Sequence, residues 1–420
     1  MQTLKPLALA LATALSAAAW ADDTAFSFSG FGTVSAVSTN TDNAEFRAVS
    51  SQPNGAKKNA SYTVDTKLGV QGVAKFNDQW SATLQLLSTK NEKNNFTPGV
   101  EWAFVKYQAT PNVAVRVGRI GTPTFLISDY RNVGYANIWA RPPVDVYSQV
   151  ANGRFDGIDM LYKHNVGDGT VTLQPYTGAS KTKLPGDFNI DFKKMMGINA
   201  VYEIDSWLFR AGYIRTDLTG HSPGMDTILI PGMSAVANST VLPAAISGPW
   251  KAALNDLIIK DKLASFTGIG ATYDDGQLVF QGEYTQRRTE SFVDDTDGWY
   301  TTLGYRFGDF TPYVSYASVE TKVNHITDNL PTPTVQLAGL KAAVIDTKAG
   351  ADQSTTTLGL RWNAMKNVAI KFQFDRVQTE KGKDNFFTKQ KIDSTDPFKL
   401  RSAFAGESVN VYTIAADFVF

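Results

Sequence analysis

Residues 62–76 read Tyr62-Thr63-Val64-Asp65-Thr66-Lys67-Leu68-Gly69-Val70-Gln71-Gly72-Val73-Ala74-Lys75-Phe76. The even positions are largely apolar, whereas the odd ones carry Thr63, Asp65, Lys67, Gln71 and Lys75. A period of two puts these sets on opposite faces of an extended chain, so each face meets a different solvent. A strand of this length is about three times the ordinary globular one, and it suits a tilted strand that crosses a bilayer and emerges at both rims.

The alternation recurs. Met196, Ile198, Ala200, Tyr202 and Ile204 alternate with Gly197, Asn199, Val201 and Glu203; Trp299, Thr301, Leu303, Tyr305 and Phe307 with Tyr300, Thr302, Gly304 and Arg306; Val368, Ile370, Phe372 and Phe374 with Ala369, Lys371, Gln373 and Asp375. The pattern predicts sixteen strands, near 25–37, 61–76, 80–90, 99–109, 112–119, 156–164, 170–180, 194–204, 207–217, 264–274, 277–290, 297–307, 310–321, 354–363, 367–379 and 407–420. Their connections alternate too. Short ones such as Asn77-Asp78-Gln79, Thr110-Pro111, Asp205-Ser206 and Gly308-Asp309 are interleaved with long ones at 38–60, 91–98, 120–155, 181–193, 218–263, 291–296, 322–353 and 380–406. Tight turns at one end and large loops at the other describe an all-β, sixteen-stranded antiparallel transmembrane β-barrel, whereas a soluble sandwich has no reason to segregate them. Phe76, Trp80, Tyr202, Trp207, Phe307, Phe310 and Trp362 flank the short turns, where an interfacial aromatic girdle belongs.

Composition narrows the function. Forty Lys+Arg balance forty Asp+Glu, and the charged fraction of 19% is low, so the basic excess of a nucleic-acid-binding protein is missing. With no cysteine and only His164, His221 and His325, thiolate metal sites, a Cys nucleophile and a multi-histidine cage are excluded, and no cofactor or metal is expected. Lys5, the apolar stretch from Leu7 to Leu15 and Ala19-Trp20-Ala21 read as a signal peptide over residues 1–21, leaving a barrel over 22–420. The apolar stretch is too short to span a bilayer as a helix.

The chain closes Tyr412-Thr413-Ile414-Ala415-Ala416-Asp417-Phe418-Val419-Phe420, which resembles the terminal strand of outer-membrane barrels. Over its mature length it resembles the Gram-negative porins. The most specific stretch is Val117-Gly118-Arg119-Ile120-Gly121-Thr122-Pro123-Thr124-Phe125, leading to Ser128-Asp129-Tyr130-Arg131 and Trp139-Ala140-Arg141-Pro142-Pro143. It follows the fifth strand, as the porins' third loop does. The resemblance implies that 120–155 folds inside the barrel as a pore-constricting loop, that the chain forms homotrimers in a bilayer bearing lipopolysaccharide, and that small hydrophilic solutes and ions diffuse through each monomer. The Pro-Glu-Phe-Gly-Gly element of the enterobacterial third loop is absent.

A sixteen-stranded barrel is too wide for its wall side chains to fill, so selectivity falls to lumen-facing groups and any inserted loop. Parity puts Lys67, Lys75, Arg116, Lys163, Arg210, Arg287, Arg306, Arg361 and Lys371 inward, against Asp65, Glu101, Asp159, Glu203, Glu283 and Asp375, a weak lean toward anions. Arg116, Arg119, Asp129, Arg131, Arg141 and Asp145 are the expected constriction residues. Asp129 and Asp145 either oppose Arg116 and Arg119 across the gap or pair with Arg131 and Arg141 to hold the loop in shape. Tyr130, Tyr135 and Trp139 either offer a stacking surface or, more simply, pack the loop. Helices are expected from Pro249 to Leu263, with Trp250, Leu254, Leu257 and Ile258 on one face, and around Leu337, Leu340 and Val344. Two rival functions stay open: a channel specific for phosphate, a sugar or an organic acid, and an outer-membrane barrel hydrolase. Neither a Gly-x-Ser-x-Gly elbow nor a His-Glu-x-x-His run supports the latter.

Overall fold

The structure, a computed structural model, describes residues 25–323, 329–347, 351–380, 385–387 and 408–420. The expected signal peptide over residues 1–21 lies outside the described residues, as does His325. Sixteen antiparallel strands close into one barrel: β1 (Ala25–Thr39), β2 (Lys67–Lys75), β3 (Trp80–Thr89), β4 (Gly99–Thr110), β5 (Val113–Gly121), β6 (Arg154–Val166), β7 (Gly169–Leu184), β8 (Phe188–Ile204), β9 (Trp207–His221), β10 (Lys262–Asp274), β11 (Leu278–Thr289), β12 (Asp295–Tyr305), β13 (Phe310–Val323), β14 (Gln353–Met365), β15 (Val368–Thr379) and β16 (Ser408–Val419). Closure runs from Phe31↔Val419 to Thr39↔Val411, and Gly30 and Phe420 exchange backbone hydrogen bonds of 2.8 and 3.0 Å. Because both edges are paired, no strand leaves its backbone groups open to the hydrocarbon.

The two faces invert the arrangement of a soluble protein. Val34, Leu68, Leu84, Met196, Ile269, Leu303 and Ile414 stand exposed on the outside, while Thr33, Ser35, Asp159, Asn199, Glu283, Thr302 and Asp375 are buried inside. Burying polar groups and exposing apolar ones is favourable only when the outer surroundings are lipid. At the short-turn end Trp80 and Tyr107 pack at 4.6 Å between ring centroids, and Phe310 stacks on Trp362 at 5.9 Å. These rings sit where the expected girdle lies.

Three expectations are corrected. The ladder of β2 begins at Lys67, not at 61. Residues 62–66 bend inward, with Thr66 Oγ1 donating to the Tyr62 carbonyl at 2.6 Å, and Val64 is buried in an inner cluster with Val37 and Val411 rather than facing lipid. The stretch 181–193 is not a long loop, since β7 and β8 run out to Leu184 and Phe188 as a tall hairpin. Its register shifts between Lys193 and Met196, where Lys194 adopts a left-handed φ of 49°. A bulge of this kind reverses the parity beyond it, so Phe188, Ile190 and Phe192 turn inward while Met196 and Ile198 stay outside. The outer-loop helix spans Ala244–Leu257, containing Pro249 rather than starting there, and is preceded by a helix over Ile230–Ala237. The third helix is Val335–Asp346, with Thr334 Oγ1 accepting from the Leu337 amide. Trp250, Leu254, Leu257, Leu337 and Val344 share one apolar cluster with Met233 and Leu218, so these loops are packed to one another.

Candidate functional site

Between β5 and β6, residues 122–153 fold inside the barrel and are fastened to its wall in successive places. Thr122 N donates to the Gly153 carbonyl at 3.1 Å and closes the neck. The descending limb lies on β9 to β12. Arg210 donates to the Pro123 carbonyl and lies 3.5 Å from Glu283, whose carboxylate also accepts from Leu126 N at 2.8 Å and the Tyr147 hydroxyl at 3.2 Å. Phe125, Tyr147, Phe266 and Tyr300 pack around this knot, with Phe125 and Tyr147 at 4.6 Å. The returning limb is tied by Gln149, which donates to Thr285 at 2.7 Å and accepts from Thr296 at 3.0 Å, while Arg287 donates to its carbonyl at 2.7 Å.

The far end of the loop meets β14, β15, β16 and β1. The Lys371 ammonium donates to the carbonyls of Gly134, Asn137 and Trp139 at 2.7, 2.7 and 2.8 Å and lies 2.8 Å from Asp417, which also accepts from Thr33 at 2.5 Å. A Cβ at Gly134 would fall 2.0 Å from Asp417 Oδ1, so only glycine permits this approach. Arg361 donates to the Tyr135 and Asn137 carbonyls at 2.7 and 3.0 Å, with its guanidinium over the Tyr135 ring. Trp139 is buried and its Nε1 donates to Thr302 at 3.0 Å. Arg141 bridges Asp65 and Asp375 at 2.7 and 2.8 Å, donates to Thr413, and lies over the Phe46 ring.

Four of the nine expected inward cations serve the loop. Arg210, Arg287, Arg361 and Lys371 all donate to loop or loop-neck carbonyls. Arg306 sits at the short-turn end, paired with Asp274 at 2.5 Å. Lys67 lies among the charges of Asp65, Asp417, Arg131 and Arg141. Arg116 makes a bidentate pair with Asp159, which also accepts from Gln174 at 2.8 Å. Arg119 is a correction. Positions in β5 alternate with Ala114, Arg116 and Ile120 inside and Val117 outside, so Arg119 faces outward and pairs with Asp156 at 2.7 Å beside Val117 and Ile158.

Neither expected pairing within the loop forms. Arg141 and Asp145 find partners outside the loop, Asp65 before β2 and Asp375 on β15 for the first and Gln353 on β14 at 3.0 Å for the second, because the loop lies flat against the wall. Asp129 stands exposed, and Arg131 approaches Gly153 and Glu101 at the neck. Lys106 was missed. It registers opposite Arg116 on the inner face, because a bulge at Val100–Trp102 lets Glu101 and Lys106 both turn inward despite opposite parity. Nothing in the sequence marks that bulge. Of the histidines, His164 stacks with Tyr162, and His221, at the exposed outer end of β9, lies 3.9 Å from Asp226. The acidic run Asp294-Asp295-Thr296-Asp297, a further place where a divalent cation could sit, is occupied otherwise: Asp295 accepts from Thr289 N and Asp297 pairs with Arg288, and no metal-holding cluster occurs among the described residues.

Asp145 is fully buried on the loop, and burial pushes its carboxyl from 3.8 up to about 6 despite donors from Thr355 and Gln353. With the folded value above the unfolded one, the folded state holds the extra proton, so this stabilisation is present at low pH and is lost as pH rises through about 6. Replacing Asp145 with Asn is expected to abolish a gain on the order of 1–3 kcal/mol that the wild type shows on acidification from pH 7 toward pH 4. Parallel melting temperatures for wild type and variant across that range would refute it.

The sequence profile of Gram-negative porins matches residues 7–382. No curated protein sequence matches the chain. Solved structures with the same fold include OmpT of Vibrio cholerae, folded in vitro and in trimer form, at TM-score 0.53 and 12% identity over 95% of this chain and 100% of that one. They also include an anion-selective porin from Comamonas acidovorans, at 0.54 and 13% over 94% and 100%. OmpF of Salmonella typhi in complex with daunomycin aligns at 0.53 and 13% over 95% and 98%. At these identities the structures speak for the fold alone, and the family match, which spans most of the sequence, carries the function. The match spans most of a chain that folds as one closed antiparallel barrel, and the chain belongs to the Gram-negative porin family, a non-enzymatic channel of the outer membrane.

Proposed function

We propose that residues 122–153 constrict the channel and that hydrophilic solutes and ions pass between this loop and the wall of β2 to β8, along a path that favours anions. The observation that carries this reading is where the loop is fastened. Most of its anchors, Arg210, Glu283, Thr285, Thr302, Gln353, Arg361, Lys371, Asp375 and Asp417, lie on β9 to β16, while Asp65 before β2, Glu101 on β4 and Ser180 on β7 add one tie each. The opposite wall keeps Gln71, Gln85, Lys106, Arg116, Lys163 and Gln174, and Asn132 of the loop donates to Glu101 of β4 at 3.4 Å. Asp159 on this wall is already neutralised by Arg116 and Glu101 by Arg154, which leaves Lys67, Lys106 and Lys163 against Glu203 of β8 and Asp129 of the loop, a net positive balance. A charged ring in a narrow aqueous gap selects for the opposite ion.

Reversal potential under a KCl gradient tests this, with an anion preference expected. Arg116→Ala is expected to shift selectivity toward cations by about fivefold, since one charge near the path is worth about 1 kcal/mol at high dielectric. Arg119→Ala leaves it unchanged, because that side chain is on the other side of the wall. An equal response from both, or none from Arg116→Ala, overturns the assignment.

Cleavage after Ala21 and assembly as a homotrimer complete the proposal. One related structure is a trimer form. In support of the trimer, the outward positions of β1 to β3 include Ala36, Gly72, Ala74 and Ala82, small residues on which a second barrel can pack closely, whereas Gly30 and Gly32 beside them are covered by the rings of Phe420 and Phe418. The long outer loops would then meet lipopolysaccharide around the assembly.

A further inference from the structure

On the external side of the inner loop lies a cavity of about 960 Å³ whose two halves differ in character. One half is apolar, formed by Phe188, Ile190 and Phe192 of β8, Ile214 and Leu218 of β9, and Phe292. The other carries Arg47 and Lys57 from the loop after β1 and Arg287 from β11, against the single carboxylate of Glu45, which lies 3.1 Å from Lys57.

The apolar half depends on a specific backbone irregularity. Were the alternation of β8 continued past Met195, Asn189, Asp191 and Lys193 would face the lumen. The bulge at Lys193–Lys194 presents Phe188, Ile190 and Phe192 instead. Each packs on one side against the helical cluster of the outer loops and remains half-buried, leaving its other side to the cavity. Apolar surface in a water-filled vestibule costs about 25 cal/mol per Å² until something apolar covers it. A passage for ions and small polar solutes gains nothing from such a wall, whereas a site for a solute with a flat apolar part does. The cavity is within the size range of small-molecule sites, which combine an apolar lining with a few placed polar groups.

We propose that this vestibule captures small aromatic carboxylates, the ring lying on the Phe188–Ile190–Phe192 wall and the carboxylate turned toward Lys57 and Arg47, before they enter the constriction. It rests on the chain being a channel, not on the assignment of the constriction or its ion preference.

The experiment is current through the purified porin in a planar bilayer, with sodium benzoate, sodium acetate or benzyl alcohol added on the external side. Benzoate is expected to reduce the current saturably at concentrations where acetate has no effect beyond its own conductance. Phe192→Asn is expected to raise the half-blocking benzoate concentration about tenfold while leaving the unblocked KCl conductance as in wild type. Phe192→Leu retains most of the block. Lys57→Gln weakens benzoate several-fold and leaves the weaker effect of benzyl alcohol unchanged. Equal action of acetate and benzoate on the wild type, which requires no variant to fold, overturns the proposal, as does an unchanged benzoate block in a Phe192→Asn protein of wild-type conductance. A purified barrel that conducts no ions would instead remove the channel reading itself.

Discussion

Replacing Arg141 with alanine is expected to destabilise the barrel by about 3–5 kcal/mol and to raise its single-channel conductance. Arg141 is buried at 5% exposure between Asp65 and Asp375, and it also reaches Thr413 and the Phe46 ring. One guanidinium thus ties the loop to the segment before β2, to β15 and to β16. Removing it leaves two carboxylates facing one another in a site from which water is excluded, and the penalty comes from that uncompensated charge more than from the lost contacts. Arg141→Lys keeps the charge but loses the fork that serves Asp65 through two nitrogens, and is expected to fall between wild type and alanine. The informative variant combines Arg141→Met with Asp65→Asn and Asp375→Asn. Without buried charges it should recover most of the stability, yet the loop would still have lost its fastening, so conductance stays high. Urea unfolding and bilayer conductance together check this, and wild-type values of both in Arg141→Ala would show that the bridge holds nothing in place.

What could be read from the sequence is what the solvent on each side of the wall imposes. Trp299 and Leu303 meet lipid and Tyr300 and Thr302 do not, so β12 is visible as alternation. What stayed hidden depends on events that change parity or on partners distant along the chain. The bulges at Val100–Trp102 and Lys193–Lys194 reverse the faces of β4 and β8 without any residue that announces them, which concealed Lys106 and the inward aromatics of β8. The inner loop posed a different problem. The sequence does not say whether an inward Arg361 or Lys371 points into water or into the carbonyls of a loop more than two hundred residues away. Arg119 follows Arg116 by three residues on the same strand, and an odd spacing in β5 sends the two to opposite sides of the wall.

Lys371→Met carries the second large effect. The three ammonium protons of Lys371 face four acceptors, the carbonyls of Gly134, Asn137 and Trp139 and the carboxylate of Asp417, and the side chain is fully buried. A methionine of similar volume supplies none of these hydrogen bonds and leaves Asp417 with only Thr33 as a donor. The expected cost is again about 3–5 kcal/mol, and residues 134–139 should leave the β15–β16 wall. Arginine is no substitute, since its planar fork cannot converge on three carbonyls of one turn and the close approach of Gly134 to Asp417 leaves no room for it. Because the chain has no cysteine, a single Ala136→Cys carries a spin label at an exposed position of that segment without interference. The label should be restricted in the otherwise wild-type protein and mobile once Lys371→Met is added. Adding Asp417→Asn separates two contributions: stability returns because the unpaired charge has gone, whereas label mobility and raised conductance persist because the carbonyls still lack their donor. A label that stays restricted in Lys371→Met would transfer the clamp to Arg361, whose guanidinium donates to the Tyr135 and Asn137 carbonyls of the same turn.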